Sequence, residues 1–291
     1  AVTPASGYSF EGWFTEDGTA ISETTKVIIS TDHTLVARYT ASNETKYTIR
    51  YEMQDISADG KSLVNGKYTE FDSQVAIGTT DATANATAVS KYFTNGVFDK
   101  TKLPGRTFVE DESTLTGTIV GAGSLVLVVR FTRDTFDVTL TAGTGISAVS
   151  GNGEFYFGAT INIDATVSAG YTWKNWTGDL ELDAQDATFV LEANAIALTA
   201  NATANEYTVT LSAQENGGTP ATQTLTVTFD ANYTGIDAIK ATKTGWTFAG
   251  WYTQVTDGTK VSDATKVTTP NNHTLYAHFT INEYKLILNV L

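Results

Sequence analysis

The sequence predicts a mostly β protein built as a tandem array of small β-rich modules. Its 291 residues exceed the roughly 100 to 200 residues of one ordinary domain, which favours several modules. Threonine, alanine and glycine are abundant and only 4 prolines occur, a mixture that favours strands and tight turns. A tryptophan-containing pattern also recurs along the chain, which is typical of repeat architectures.

The recurring pattern is a glycine followed by aromatic, x, aromatic, x, x, Trp. It reads GYSFEGW at 7–13, GYTWKNW at 170–176 and GWTFAGW at 245–251, and these copies contain all 5 tryptophans. The sequences of the first and third copies remain similar over 14–40 and 252–280, and the third copy has two additional residues before its Asp257-Gly258. Matching positions in these stretches are Gly18 and Gly258, Lys26 and Lys266, His33 and His273, and Tyr39 and Phe279.

The end of each of these two copies alternates as a half-buried strand does. In the third copy, Leu275, Ala277 and Phe279 are expected on one face, and Tyr276 and His278 on the other. The first copy repeats the alternation with Leu35, Ala37 and Tyr39 opposite Val36 and Arg38.

Turns, a central strand and two short helices complete the secondary-structure prediction. The segment SLVLVVRF at 124–131 is apolar on both faces and suits a central strand. Short helices are expected around Ala82 to Phe93 and Gly235 to Thr242. Because glycine tolerates the positive φ of hairpin turns, turns are predicted at Asp17-Gly18, Asp59-Gly60 and Asp257-Gly258.

The tryptophan motifs have two possible roles. Modules of roughly 70 to 90 residues have marginal cores, and each aromatic side chain buries about 150 to 250 Å². Alternatively, an exposed row of tryptophans would stack against sugar rings. We expect core packing, because the pattern occupies the same place in each unit.

These motifs resemble the internalin B-repeat, which occurs in tandem arrays on bacterial surface proteins. The third copy matches best, since EYTVTL begins at Glu206 and is followed by FDANYTG, GWTFAGWYT and HTLYAHFT. The first copy resembles the second half of such a unit. Residues 135–203 resemble a diverged unit, with FDVTL, GTGISAVSGNGEF, GYTWKNWTGD and IALTANAT in that order. The resemblance implies ubiquitin-like β-grasp modules.

Residues 46–134 resemble a second module of such surface proteins, the mucin-binding-protein domain. The resemblance is carried by YTIRYEMQDISADGKSL at 47–63 and PGRTFVEDESTLTGTIVGAGSLVLVVRFTRD at 104–134. The predicted domains are therefore 1–45 (the C-terminal half of an internalin B-type repeat), 46–134 (a mucin-binding-like β-grasp module), 135–204 (a diverged β repeat), 205–281 (an internalin B-type repeat) and 282–291 (the first strand of a further repeat).

Charge and composition exclude several functional classes. The net charge of −14, from 32 acidic and 18 basic residues, repels phosphate backbones and anionic membrane faces, so nucleic acid is excluded as a partner. The chain has no cysteine, and hence no disulfide, thiolate metal site or cysteine nucleophile. No apolar run approaches the roughly 18 residues of a membrane span, so we expect no membrane insertion within this segment. A signal peptide and an anchor are expected outside it.

Residue patterns typical of catalysis are missing. His33, His273 and His278 are the only histidines, and we expect them to serve turns and strands. The chain has no Gly-x-Ser-x-Gly elbow, phosphate loop or His-Glu-x-x-His helix. We therefore predict that the protein is not an enzyme and has no catalytic, cofactor-binding or metal site.

Three further patterns leave alternatives open. Residues Asp179, Glu181, Asp183 and Asp186 form a solvated acidic loop in our main interpretation and a calcium site in the alternative. Lys26 and Lys266 are interpreted as exposed strand lysines, or as partners in an isopeptide cross-link. Six Asn-x-Thr sequons are interpreted as incidental, at Asn43, Asn85, Asn175, Asn201, Asn232 and Asn272.

The resemblance implies a non-catalytic repeat region of a cell-surface adhesin that acts as stalk and adhesion surface. Host or neighbouring-cell glycans or surface proteins are the implied partners. One alternative is a carbohydrate- or mucin-binding module with a defined ligand face, and another is an accessory region of a large secreted enzyme. A third is a head-to-tail fibre, in which the terminal EYKLILNVL strand completes the half unit of another molecule.

Overall fold

The structure of the protein is a computed structural model that describes residues 2–288. Strands contain 54% of the residues and helices 3%, in several small sheets, so the predicted mostly β fold and tandem β-rich array are confirmed. The strands are β1 Tyr8–Phe14, β2 Ala20–Ile21, β3 Val36–Ala41, β4 Thr45–Ile56, β5 Leu63–Gly78, β6 Thr83–Asn85, β7 Phe93–Thr94, β8 Val97–Phe98, β9 Arg106–Thr114, β10 Thr116–Thr118, β11 Val126–Arg133, β12 Thr135–Ala142, β13 Ile146–Ser150, β14 Gly153–Tyr156, β15 Thr160–Val167, β16 Tyr171–Gly178, β17 Ala187–Val190, β18 Ile196–Ala204, β19 Glu206–Ser212, β20 Thr222–Thr228, β21 Trp246–Tyr252, β22 Lys260–Val261 and β23 His273–Ile281.

Helical structure is confined to three short elements in the described residues. The α-helix α1 spans Ala86–Val89, and 3₁₀ turns span Gln214–Asn216 and Ile236–Ala238. The first and third of these lie in the two stretches for which short helices were predicted. Asn85 caps α1, because its side-chain Oδ1 accepts a hydrogen bond of 2.9 Å from the Thr87 amide.

The chain packs as two compact units. Along the sequence, the strands also fall into four consecutive strand groups: the first is β1–β3, the second β4–β11, the third β12–β18 and the fourth β19–β23. One unit comprises the chain up to Asp137 together with Gly153–Ile161 and Phe189–Ala195; the other comprises Val138–Asn152, Asn162–Thr188 and the chain from Ile196 onward. The third group thus contributes to both units.

In the first unit, the first group is a three-stranded sheet in the order β2-β1-β3, and the main sheet of the second group has the order β5-β4-β11-β9. Strands β4 and β11 pair in parallel, and β5 and β9 flank them antiparallel. The predicted strand at 124–131 is therefore central, as β11. Although both faces of this strand are apolar, they are not equally buried. Leu127, Val129 and Phe131 on one face are fully buried, whereas Val126 on the other face is exposed.

The second unit repeats the parallel central pair. Strands β12 and β18 are parallel, with β16 antiparallel to β18. Strands β19 and β23 are parallel at the centre of a five-stranded sheet ordered β20-β19-β23-β21-β22. A β-grasp needs this parallel pair and also a helix across the sheet; the described residues contain only the short helices above, so the β-grasp assignment stays a prediction.

Separate apolar cores stabilise the groups. The second group packs Tyr51, Phe131 and other buried residues around a cluster of aromatic rings. The fourth packs Trp251 against Val209, Leu211 and other buried residues. The predicted alternation in β23 is confirmed for Leu275 and Ala277, which are buried, whereas Tyr276 and His278 are half-buried. Phe279, predicted on the buried face, is also half-buried and packs against the edge of the core.

Candidate functional site: the junctions between strand groups

The aromatic pattern forms a bulged strand. Successive residues of a regular strand point to opposite faces, so aromatic residues three positions apart would diverge. A register shift occurs between the two aromatic residues in each copy, and one additional residue at a bulge brings both side chains to the same face. The shifts lie at Phe10/Gly12, Trp173/Asn175 and Phe248/Gly250.

The bulge produces the same edge-to-face ring pair in all three copies. Centroid distances are 5.8 Å for Phe10–Trp13, 5.6 Å for Trp173–Trp176 and 5.3 Å for Phe248–Trp251. Trp176 and Trp251 are buried, as predicted. The core prediction is wrong for Trp13, which is 40% exposed, because no opposing sheet of the first group covers it in the described residues.

The glycine that opens each pattern adopts a left-handed backbone. Its φ is 82° in Gly7, 89° in Gly170 and 80° in Gly245, and Gly105 of the second group has the same conformation with φ 73°. In each case its carbonyl accepts a hydrogen bond from the amide of the first residue after the last strand of its group. These amides belong to Ser42, Asp134, Asn205 and Asn282, at 2.8 to 2.9 Å.

We call these four residues the linker residues. The carbonyls of three of them also accept a hydrogen bond from the next group. The carbonyl of Ser42 accepts a hydrogen bond from Thr80, that of Asp134 from Phe157, and that of Asn205 from Phe229, at 2.8, 2.8 and 2.9 Å. One residue thus joins two groups through both of its backbone polar groups. We call this arrangement the backbone clamp.

At each junction, the clamp binds a turn of the following group, and the three turns share one geometry. The residue after Thr80, Phe157 or Phe229 is left-handed: φ is 67° in Asp81, 79° in Gly158 and 61° in Asp230. Its amide donates into its own group, to the carbonyls of Ile119, Leu191 and Val267 respectively, at 2.8, 2.8 and 2.9 Å. The tripeptides Thr80-Asp81-Ala82, Phe157-Gly158-Ala159 and Phe229-Asp230-Ala231 therefore form one repeated turn, the docking turn.

The clamp requires glycine for two reasons: its φ is positive, and the neighbouring atoms leave no space for a Cβ. A Cβ on Gly105 would collide with the ring of Phe157, and one on Gly170 with the ring of Phe229. A Cβ on Gly7 would collide with the Gly121 backbone and with Thr80. The first residue of each docking turn therefore packs directly on the glycine of the preceding group.

Side chains reinforce two of the clamps in the same way. The Tyr8 hydroxyl donates to the Asp81 carboxylate, and the Tyr171 hydroxyl donates to Asp230 Oδ2 at 3.1 Å. The Lys266 ammonium binds the other oxygen of Asp230 at 2.6 Å. This ion pair accounts for Lys266 in the described structure, and the isopeptide alternative gains no support from it.

The clamp between the second and third groups uses arginine instead. Its docking turn has Gly158 in place of the aspartate, and the Arg133 Nη1 donates to the Phe157 carbonyl at 2.7 Å. The Arg106 guanidinium lies 4.3 Å from the Phe157 ring centroid, in a cation–π contact. Burial lowers the pKa of both arginines, although guanidinium groups remain charged at neutral pH.

Acid is expected to weaken the Tyr171–Asp230–Lys266 contact. Hydrogen bonds from Lys266 and then Tyr171 lower the pKa of Asp230 below its usual value. A lowered pKa stabilises the fold above the unfolded-state value of about 3.9, and that stabilisation is lost as pH falls through the folded value. Melting temperatures between pH 6 and 3 should therefore fall more steeply for the natural chain than for Asp230→Asn, which retains the left-handed preference. Parallel curves would contradict this assignment.

The histidines occupy structural positions. His33 Nδ1 lies 3.1 Å from the Thr31 carbonyl and His273 Nδ1 2.9 Å from the Asn271 carbonyl, so both belong to the predicted turn chemistry. His278 stacks on the Tyr252 ring at 4.0 Å. Within residues 2–288, no three His, Cys, Asp or Glu side chains cluster as a metal site would require, which gives the calcium alternative no support.

The acidic loop after the middle tryptophan motif instead covers the tryptophans. The Trp173 indole donates to the Asp183 carbonyl at 2.7 Å, and the Trp176 indole to the Gln185 carbonyl at 3.1 Å. Among the sequons, the Asn201 amide nitrogen is already hydrogen-bonded to Thr177 Oγ1 at 2.9 Å. The interpretation of the sequons as incidental stays a prediction.

Sequence reasoning missed two parts of the clamp. The segment Gly105-Arg106-Thr107-Phe108 is a fourth copy of the glycine pattern, hidden because arginine replaces the aromatic residue and no tryptophan follows. The linker residues were also missed. A threonine two positions after the clamp glycine could have indicated the linker residue. Its hydroxyl donates to the linker side chain in the pairs Thr107–Asp134, Thr172–Asn205 and Thr247–Asn282, at 2.6 to 2.7 Å.

Comparison with known protein families identifies repeats in three stretches of the chain. The Listeria-Bacteroides repeat domain matches residues 2–38 and 207–278, and the Divergent InlB B-repeat domain matches residues 136–206. Among the described residues, no helix is long and apolar enough to cross a bilayer.

Relatives and solved structures give weaker matches. Internalin H of Listeria monocytogenes is 37% identical over 125 residues, which is 41% of this chain and 21% of internalin H. The matching stretch thus spans about a fifth of that relative. The solved structure titled "The Bacillus anthracis TIE protein" shares 9% identity and a TM-score of 0.28, over 84% of this chain and 55% of that one. A likeness at this level does not establish a shared fold.

Proposed function

This chain belongs to the bacterial surface proteins that carry internalin B-type repeats, and on that premise we propose that it is a non-catalytic extracellular spacer and adhesion segment. The spacer role is supported by the repeated backbone clamp. Only one residue separates the strands of successive groups at Asp134 and at Asn205. Since both backbone polar groups of each linker residue are bound, rotation about the linker breaks hydrogen bonds to one group or the other.

Hydrogen exchange tests the spacer role directly. The amides of Thr80, Phe157 and Phe229 should be protected from exchange, because each is held by a linker carbonyl. The amide of Glu16 serves as the fast-exchanging reference, because Glu16 is exposed, lies in a turn outside the strands and donates no backbone hydrogen bond in the described structure. If the three junction amides exchange as fast as the reference, the groups are flexibly linked and the spacer proposal fails.

We propose display at the cell surface or cell wall, with glycans or proteins of a neighbouring cell as the adhesion partners. Internalin-type repeats are typical of extracellular proteins, and the acidic, cysteine-free composition is compatible with that location. Antibodies raised against this chain should label intact cells of the source bacterium. Labelling only after permeabilisation would contradict surface display.

The carbohydrate-binding alternative has little geometric support in the exposed aromatic cluster of the first group. Phe10, Trp13 and Tyr39 are each partly exposed, as a sugar platform requires. Their rings meet at interplanar angles of 69° and 64°, which presents edges and faces in different directions. A flat stacking surface therefore does not form there.

Strand exchange between copies is a second candidate, favoured by one observation. In the segment 283–288 the side chains of Tyr284, Leu286, Ile287 and Leu288 are at least 75% exposed, and within the described chain β3 pairs only with β1. The EYKLIL segment resembles EYTVTL of β19, which pairs in parallel with β23. Residues 289–291 of the predicted terminal strand lie outside the described residues.

The mass of the protein in solution tests strand exchange. If the segment 283–288 of one copy pairs with β3 of another, the molar mass from light scattering should rise with concentration in steps of 31.1 kDa. Leu286→Asp should abolish the rise, since it places a charge in the exchanged strand. A constant mass near 31.1 kDa would rule strand exchange out.

A further inference from the structure

The fourth group presents half of a backbone clamp. Gly245 is left-handed, and its carbonyl accepts the Asn282 amide at 2.9 Å. The Thr247 hydroxyl donates to Asn282 Oδ1 at 2.6 Å. These contacts reproduce those of Gly170, Thr172 and Asn205 in the third group, so the linker residue is already fixed in its clamping position.

The space in front of this half clamp is open in the described structure. At Gly7, Gly105 and Gly170 an added Cβ would meet Thr80, Phe157 or Phe229 of a docking turn. At Gly245 no described atom lies within 4 Å of that position. At the other three glycines, the first residue of a docking turn occupies this position.

Side chains beside Gly245 indicate which docking turn fits. Trp246 occupies the position of Tyr8 and Tyr171, which donate to the aspartate of their docking turns. Its indole N–H is likewise a donor and has no acceptor among the described residues. The Lys243 ammonium lies 4.2 Å from the Trp246 ring centroid, so the surface carries a positive charge that complements an aspartate rather than a glycine.

We propose that Gly245, Trp246, Lys243 and Asn282 form a docking surface for another strand group of this kind, through a docking turn with aspartate at its left-handed position. The inference rests on the proposed spacer function, because it assigns the same clamp to a further group. The Asn282 carbonyl receives the amide of the first turn residue, a threonine or phenylalanine side chain covers Gly245, and the aspartate accepts from the Trp246 indole.

A tandem variant tests this surface, with a second copy of residues 206–282 placed directly after Asn282. The copied Phe229-Asp230-Ala231 turn then has the spacing from Asn282 that the natural turn has from Asn205. We expect the indole N–H resonance of Trp246 to shift relative to the natural chain, and the copied Phe229 amide to exchange at least about tenfold more slowly than the Glu16 reference. Gly245→Ala should abolish both effects in the tandem variant and change little beyond its own turn in the natural chain.

Gly170→Ala in the natural chain is the matched control, because its clamp is occupied. If Gly170→Ala deprotects the Phe229 amide but Gly245→Ala leaves the copied one protected, the docking surface is wrong and the spacer function stands. If neither substitution has an effect, the clamp itself and the spacer proposal fail. A tandem variant whose mass rises with concentration while Trp246 does not shift would also overturn the proposal, in favour of contacts between copies.

Discussion

Replacing Trp251 with alanine is expected to destabilise the fourth strand group by about 3 to 5 kcal/mol, the range for deleting a large aromatic side chain from a core. Trp251 is 2% exposed and packs edge-to-face on Phe248 at 5.3 Å. Its indole also donates to the Ile239 carbonyl at 2.7 Å. The substitution therefore creates a cavity and leaves a carbonyl without its donor.

Trp13 provides the matched control, since it holds the same position in the first copy of the pattern. It is 40% exposed, so Trp13→Ala removes less buried area than Trp251→Ala and should destabilise the protein by a smaller amount, about 1 to 3 kcal/mol. Urea denaturation of both variants, followed by circular dichroism, measures the two losses. Equal losses would show that the motif position, rather than burial, determines the energetic contribution.

Gly170→Ala is expected to destabilise the clamp between the third and fourth groups by more than a left-handed alanine costs by itself. At φ 89° an alanine is strained by about 1 to 2 kcal/mol. Its Cβ would also collide with the Phe229 ring, so either the ring or the linker Asn205 has to move. The amides of Phe229 and Asn205 should lose protection from hydrogen exchange together.

Gly66→Ala separates strain from collision. Gly66 has φ 68° and no described atom within 4 Å of its Cβ position, so this variant measures only the backbone cost. The difference between the melting temperatures of the two variants reports the clamp. If Gly170→Ala melts no lower than Gly66→Ala, the packing of Phe229 on the glycine does not stabilise the junction.

The clamp explains why the side chains at the junctions vary while the geometry does not. Each clamp consists of backbone hydrogen bonds, which contribute roughly 0.5 to 1.5 kcal/mol each, and any linker residue except proline supplies them. Side chains add a second layer that differs between junctions: tyrosine with aspartate in two of them and two arginines around Phe157 in the third. The repeats can thus diverge in sequence and keep one mode of connection.

The sequence by itself determined the mostly β fold, the repeat pattern and the turn roles of His33 and His273. These features are local: alternation, glycine turns and recurring motifs depend on neighbouring residues, so a single sequence reveals them. The predicted central strand at 124–131 and the burial of Trp176 and Trp251 followed from the same patterns. The domain boundaries and the mucin-binding resemblance of 46–134 stay predictions.

Only the tertiary structure decided which copies of the pattern are buried and how the groups are joined. The exposure of Trp13 depends on whether an opposing sheet covers it, which its own motif does not encode. The clamp joins Gly170, Asn205 and Phe229, which lie far apart in sequence, through backbone atoms and a missing Cβ. Backbone hydrogen bonds leave almost no requirement on residue type, so this contact becomes visible only when the chain is folded.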